Sequence, residues 1–341
     1  MNSVVRRVQS PHRLRWLGTL VVVPLIVLLA AASLTLSAPR AQARSLTTSY
    51  VSSTNYPIVF LHGINASSAI NCSSSTMWGT MISYLQGYHA FGSQTLHWTG
   101  AMKTIGFYNN DSNCAARLTD SAYASHCTGY FYVASAQGTN NENIRHIACE
   151  LAWYVYLTYS QYGQNVQGVG HSMGGLILRW AIYGVHAHLS SFPPSILIQD
   201  VVTIAAPHDG TVSASTIVSC NNCIQAQQMV TGSSFINDLV NLAQNPQGSG
   251  WGTDWTMMGG QFLTCDVISS KSATYMNLGH KLYFTWPCYT HGGYLTDTND
   301  AGDADIYWCD GCATVPSSWT FWGGAPHALR HTLYALYVSN W

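Results

Sequence analysis

Gly170-His171-Ser172-Met173-Gly174 joins a short apolar run, Asn165 to Gly170, to a helical pattern from Gly174 to His188. A serine in that place becomes a nucleophile only where strand and helix meet in a sharp corner. Glycines on either side remove side chains that would clash, and the N-terminus of the following helix aims its N–H groups at developing negative charge. The pentapeptide alone occurs by chance. Its strand-turn-helix setting makes Ser172 the candidate nucleophile, against the plainer reading of a structural tight turn.

The rest of the chain repeats the alternation of strand and helix. Pro57 to Leu61, Thr104 to Tyr108, Ser195 to Ala206, Trp255 to Met258 and Lys281 to Trp286 read as strands. Ile144, Ile147, Ala148, Leu151 and Val155 share one helical face, with Thr139 and Glu142 spaced as a capping box and Gly163 as the stop. Such an order argues for a mostly parallel sheet flanked by helices. Residues 211–253, rich in Ser, Asn, Gln and Gly, interrupt it as an inserted cap or lid. Residues 296–341 form a C-terminal extension ending in a helix through Leu329, Leu333, Leu336 and Tyr337. Residues 44–341 are thus expected to make one catalytic domain.

Charge excludes one class of function. The 341 residues carry 13 Lys+Arg, 14 Asp+Glu and a net charge of −1, so binding to nucleic acid through phosphate neutralisation is ruled out. Five of the arginines (Arg6, Arg7, Arg13, Arg15 and Arg40) fall in residues 1–43, which leaves 8 basic against 14 acidic groups afterwards, a net of −6. An uncharged run from Leu17 to Ala38 follows the basic stretch and leads to Ala41-Gln42-Ala43. This pattern reads as a secretory signal cleaved after about Ala43. The alternative is a retained N-terminal membrane anchor, since about 20 apolar residues span a bilayer. Ten cysteines in an exported chain favour disulfides over free thiols.

Leu61-His62-Gly63-Ile64 closes the first strong strand. A backbone N–H in that loop can pair with the one just after the serine to hold an oxyanion, and Gly63 lets the main chain come close. Ile64 and Met173 are the expected donors. His62, ahead of the serine in the chain, is expected to be structural.

These segments, together with Gly175-Leu176 and Thr203 to Thr211 (Thr-Ile-Ala-Ala-Pro-His-Asp-Gly-Thr), resemble the lipase and esterase branch of the α/β-hydrolase family, particularly secreted bacterial triacylglycerol lipases. The likeness runs over about residues 55–295. It implies an α/β-hydrolase fold, His208 as a structural loop residue, and a triad in the chain order Ser, acid, His, with no cofactor. Two solutions are open. Asp266 and His291 each fall just past the C-terminal end of an expected strand, where open α/β sheets collect catalytic groups, and a bridge between Cys265 and Cys288 would fix both loops. Alternatively, Asp305 or Asp310 pairs with His327 or His331 in the tail.

Cys220-x-x-Cys223 and Cys309-x-x-Cys312 have zinc-like spacing, but in an oxidised chain local disulfides are preferred. Asp297, Asp300, Asp303 and Asp305 read as a solvated acidic loop, with Ca²⁺ binding the alternative. The 20 tyrosines and 12 tryptophans fill the core or, on the sharper reading, form a surface that contacts lipid or polymer. The expectation is a secreted, monomeric serine carboxylic-ester hydrolase, lipase-like and acting on an ester or lipid. The rivals are an acyltransferase or polyester depolymerase on the same triad, and an inactive secreted binding protein.

Overall fold

A computed structural model describes residues 50–51, 53–91, 93–212, 220, 222–243, 252–261, 264–277, 279–311 and 319–339. The expected signal segment lies outside the described residues. The strands are β1 (Tyr50–Val51), β2 (Ile58–Leu61), β3 (His89–Phe91), β4 (Gln94–Leu96), β5 (Met102–Gly106), β6 (Ala116–Arg117), β7 (Val166–His171), β8 (Ile198–Ile204), β9 (Asp254–Gly260), β10 (His280–Trp286), β11 (Ala304–Asp310), β12 (Thr320–Ala325) and β13 (Val338–Ser339). The helices are α1 (Thr80–Leu85), α2 (Ser121–Ala124), α3 (Ile144–Thr158), α4 (Met173–His186), α5 (Ile224–Gln228), α6 (Ser234–Leu242), α7 (Ser270–Ala273) and α8 (Ala328–Tyr337). Among the described residues no helix is long and apolar enough to cross a membrane.

Nine strands form one sheet in the order β6-β5-β2-β7-β8-β9-β10-β11-β12. Pairing from β6 through β10 is parallel, and β11 and β12 continue the sheet antiparallel. The central strands are apolar on both sides because both faces are covered. In β2, Val59 and Leu61 face the core built with α3 and α4, while Ile58 and Phe60 face the core built with α1 and α8. The C-terminal segment is integral to this arrangement: α8 places Leu329, Leu333 and Leu336 in the same cluster as Ile58 and Phe60.

Two local expectations are corrected. The second strand ends at Gly106, not Tyr108, because the Phe107 and Tyr108 N–H groups both donate to Asp111 Oδ2 at 2.9 Å instead of to a neighbouring strand. Helix α3 is capped by Asn143, whose side chain accepts from Arg145 N–H at 2.9 Å. Thr139 Oγ1 accepts from Asn141 N–H, so Thr139 and Glu142 form no capping box.

The described part of the expected cap is pinned to the body. In α6, Phe235, Ile236 and Leu239 are buried against the α4 side of the core, and Arg179 of α4 donates to the carbonyls of Leu239, Ala243 and His208. Residues 213–219 and 244–251 lie outside the described residues. Disulfides join Cys72 to Cys114, Cys127 to Cys149, Cys220 to Cys223 and Cys265 to Cys288. Cys309 is also bonded, and its expected partner Cys312 falls outside the described residues.

Candidate active site

Ser172 sits between β7 and α4 with φ 54° and ψ −126°, a backbone conformation unusual for any residue but glycine. The neighbouring sequence forces the corner. A Cβ on Gly174 would lie 2.1 Å from the Leu61 carbonyl oxygen, and one on Gly170 2.6 Å from the Gly175 nitrogen. Only hydrogens therefore allow the end of β2 and the first turn of α4 to touch.

Across this corner lies the loop after β2. A Cβ on Gly63 would stand 2.7 Å from Ser172 Cβ and 3.2 Å from its Oγ. Gly63, Ile64, His171, Ser172 and His291 line one cavity of about 170 Å³, together with Asn65, Ile70 and Met77. Met173 is the first residue of α4, so its N–H is one of the unpaired donors that a helix N-terminus presents. A larger, shallow depression of about 540 Å³ lies elsewhere, lined by Ser73, Ser75, Thr80 and Tyr84. Its only titratable group, Tyr84, is committed to Asp300.

Asp266 follows β9 and His291 follows β10. His291 Nδ1 donates to Asp266 Oδ1 at 2.9 Å, which leaves Nε2 as the bare nitrogen. The carboxylate is buried and also accepts the Ile268 N–H at 3.0 Å and the Tyr294 hydroxyl at 3.0 Å. Among the described residues, Ser172 Oγ and His291 Nε2 have no hydrogen-bond partner, although both atoms are buried and both residues line the same cavity. Such contacts commonly tighten only when substrate binds. His171 Nε2 donates to the His291 carbonyl at 2.7 Å. Burial, and then the neighbouring His291, press the His171 pKa down to about 3, so this ring stays neutral as a strut under the His291 loop.

The tail candidates are elsewhere. His327 is bracketed by Asp297 at Nδ1 and by Asp303 at Nε2, 2.5 Å away. His331 is buried, and burial pushes its pKa down to about 3. Asp305 lies in β11, and Asp310 faces His280 at 3.3 Å. None of these four lines the cavity of Ser172. The acidic loop is likewise engaged by protein groups: Asp297 and Asp303 by His327, Asp300 by Tyr84, His89 and Arg330. His62 has both ring nitrogens on oxygens, the Gly63 carbonyl at 2.8 Å and Asp111 at 3.0 Å. His208 is buried against Thr203 Oγ1 at 3.0 Å, where burial and then Arg179 hold its pKa well below the usual value.

Sequence reasoning missed Tyr294 and the structural part of His171. Tyr294 follows His291 by three residues in a one-turn helix, Gly293–Leu295. A tyrosine three positions after a proposed base, where a helical turn carries it back beside that base's partner, is the signal that was there to find.

Residues 115–238 match the family described as "Putative serine esterase (DUF676)". None of the curated proteins matches the chain. Solved structures similar to it include a Bacillus licheniformis lipase, BlEst2, in mature form (14% identity, 72% of this chain, 89% of that one, TM-score 0.42). Lipase B of Aspergillus fumigatus gives 14% identity, 72% of this chain, 50% of that one and a TM-score of 0.43. Phospholipase PlaB of Legionella pneumophila gives 14% identity, 61% of this chain, 38% of that one and a TM-score of 0.38. The chain thus spans half or less of the length of two of the three. Residues 115–238, which include the serine corner, are thus similar to a serine esterase family, and the fold around them is a mostly parallel sheet flanked by helices, the arrangement expected of an α/β-hydrolase.

Proposed function

We propose that this protein hydrolyses carboxylic esters through an acyl-enzyme on Ser172, with His291 as general base, Asp266 as its orienting carboxylate, and the Ile64 and Met173 N–H groups as oxyanion donors. The observation that carries the reading is the bare Nε2 of His291 in the same cavity as an unbonded Ser172 Oγ, while its Nδ1 is held by a buried carboxylate. In this reaction His291 takes the Ser172 proton as Oγ attacks the ester carbonyl. Asp266 stabilises the imidazolium, and the ring returns the proton to the departing alcohol. Two N–H donors then stabilise the tetrahedral oxyanion, each worth roughly 3 kcal/mol in comparable sites. Water, activated by the same ring, frees the acid.

The cavity of about 170 Å³ is small beside the roughly 300–1,000 Å³ of sites that hold drug-sized ligands. That favours short acyl groups over triacylglycerol chains. Export is supported by the four described disulfides and the absence of free cysteine among the described residues. Contact with a lipid or polymer surface is supported by Trp286, Phe321 and Trp322, all exposed.

A fluorophosphonate probe tests the nucleophile: it should label the wild type and leave Ser172→Ala unlabelled. No labelling of folded wild type would remove the hydrolase reading in favour of a binding protein. Rates on p-nitrophenyl esters of rising chain length should peak at about four carbons or fewer. A maximum at long chains would restore the lipase assignment.

A further inference from the structure

Glu142, just before α3, and His146 and Glu150 in its first turns follow one another at spacings of four residues, all buried, at 2%, 1% and 0% exposure. One donor atom from each lies within 4.8 Å of the others. His146 Nε2 is 3.6 Å from Glu142 Oε1 and 3.3 Å from Glu150 Oε1. Its other nitrogen, Nδ1, donates to the Tyr130 carbonyl at 2.9 Å, which directs Nε2 into the cluster.

The remaining groups follow the same pattern. Glu142 Oε2 accepts from the Gly138 N–H at 2.7 Å and Glu150 Oε1 from the Gln137 amide at 3.2 Å. Among the described residues, Glu142 Oε1, His146 Nε2 and Glu150 Oε2 make no hydrogen bond of good geometry. Two buried carboxyls and an imidazole therefore converge, an arrangement that is costly unless shared protons or a cation complete it. The two separations from His146 Nε2 also fit. Ligands about 2.0–2.2 Å from a tetrahedral metal stand roughly 3.3–3.6 Å apart.

We propose that Glu142, His146 and Glu150 bind a divalent transition-metal ion of the zinc class as a structural clamp. An imidazole with two carboxylates offsets the double charge, whereas Ca²⁺ and Mg²⁺ prefer all-oxygen sites. The hydrogen bonds around the cluster say what it would hold. Residues Tyr130 to Glu142 are drawn onto α3, and the end of that segment braces two neighbours. Asn140 bonds the Ser68 hydroxyl and the Ala66 carbonyl in the loop that carries Ile64, and the Thr139 carbonyl accepts from Gln225 of α5. The site does not depend on the ester-hydrolase reading.

The test is metal analysis with thermal unfolding on the full exported protein. Desalted wild type is expected to hold about one zinc per chain. Stripping with dipicolinate should lower Tm, and added Zn²⁺ should restore it, with Tm rising with the logarithm of free Zn²⁺. Glu150→Gln and His146→Gln should weaken Zn²⁺ binding by more than the roughly 10- to 100-fold that loss of an outer partner costs. Stripped wild type that takes up no Zn²⁺ and shows no rise in Tm overturns the site and leaves a proton-shared cluster. Variants that bind Zn²⁺ as the wild type does place the ion elsewhere. If the variants do not fold, the wild-type titration decides alone.

Discussion

Asp266 holds His291 Nδ1 at 2.9 Å with one carboxylate oxygen and takes the Tyr294 hydroxyl at 3.0 Å on the other, with no water-facing oxygen to spare. The carboxylate is thereby fixed from two sides, and the imidazole it orients is fixed in tautomer. Asp266→Asn would present an amide of the same shape that favours the wrong tautomer, so kcat should fall about 10⁴-fold while the protein stays folded. A variant that keeps a tenth of wild-type kcat on a short ester would remove Asp266 from the mechanism.

Tyr294→Phe isolates the second side. The hydroxyl is buried, and its loss leaves Oδ2 of a buried carboxylate short of a donor, at a cost of about 1–3 kcal/mol. Urea unfolding should register that loss, with kcat reduced far less than in Asp266→Asn. Equal losses of kcat in the two variants would mean that Tyr294 touches the reacting groups.

His327 separates the two possible homes for the triad and carries a pH signature. Burial disfavours its charged form, but Asp297 and Asp303 outweigh burial and raise its pKa above the usual 6.5. A raised folded-state pKa stabilises the protein fully below the unfolded pKa of about 6.5, and that contribution is lost as pH climbs through the raised value. Tm of the wild type should therefore fall relative to that of His327→Gln on going from about pH 6 toward pH 9. The kcat of His327→Gln should stay within a few-fold of wild type, whereas His291→Ala should lose several orders of magnitude. The reverse kinetic result would move the site into the tail.

Where sequence and structure agree, the signal was a physical demand that few residues can meet. A serine at φ 54° between glycines has little other use, and the runs at Ile58–Leu61 and Ile198–Ile204 are too apolar for anything but the middle of a covered sheet. Asp266 and His291 could be singled out because both follow such strands, and the structure brings them within 2.9 Å of each other. The tail was ambiguous because sequence spacing does not reveal that Asp297 and Asp303 close on His327 from both sides. Strands β11 and β12 stayed hidden for a different reason. They close one end of the sheet, where β12 is the edge strand and mostly exposed, and three of its last four residues are Gly323, Gly324 and Ala325, which weaken any strand pattern. Glu142 was misread as a capping partner because its spacing to Thr139 fits a box, while Asn143 provides the cap.

The two glycines that meet across the elbow should fail differently. In Gly174→Ala the new Cβ meets the Leu61 carbonyl at 2.1 Å, a backbone atom that cannot step aside. Instability at the upper end of the roughly 1–3 kcal/mol of overpacking is expected, read as a fall in denaturation midpoint. In Gly63→Ala the obstacle is the Ser172 side chain, at 2.7 Å from Cβ. Stability should suffer less and fluorophosphonate labelling more. Normal labelling of Gly63→Ala would show that the loop can retreat without cost to the site.

The Cys265–Cys288 bridge, with a Cα separation of 5.3 Å, ties the loop of Asp266 to the end of β10 just before His291. It closes a loop of 23 residues, for which chain entropy suggests about 3 kcal/mol. It also fixes two loops whose side chains must meet to within a few tenths of an ångström. Cys265→Ser/Cys288→Ser should therefore lose activity at temperatures well below its own unfolding transition. Loss of the Cys127–Cys149 bridge, which anchors α3 to the turn at Cys127, should lower Tm while leaving kcat near wild type at low temperature. Should the first pair of substitutions alter only Tm, the bridge would be a staple of the fold and have no part in holding the acid to the base.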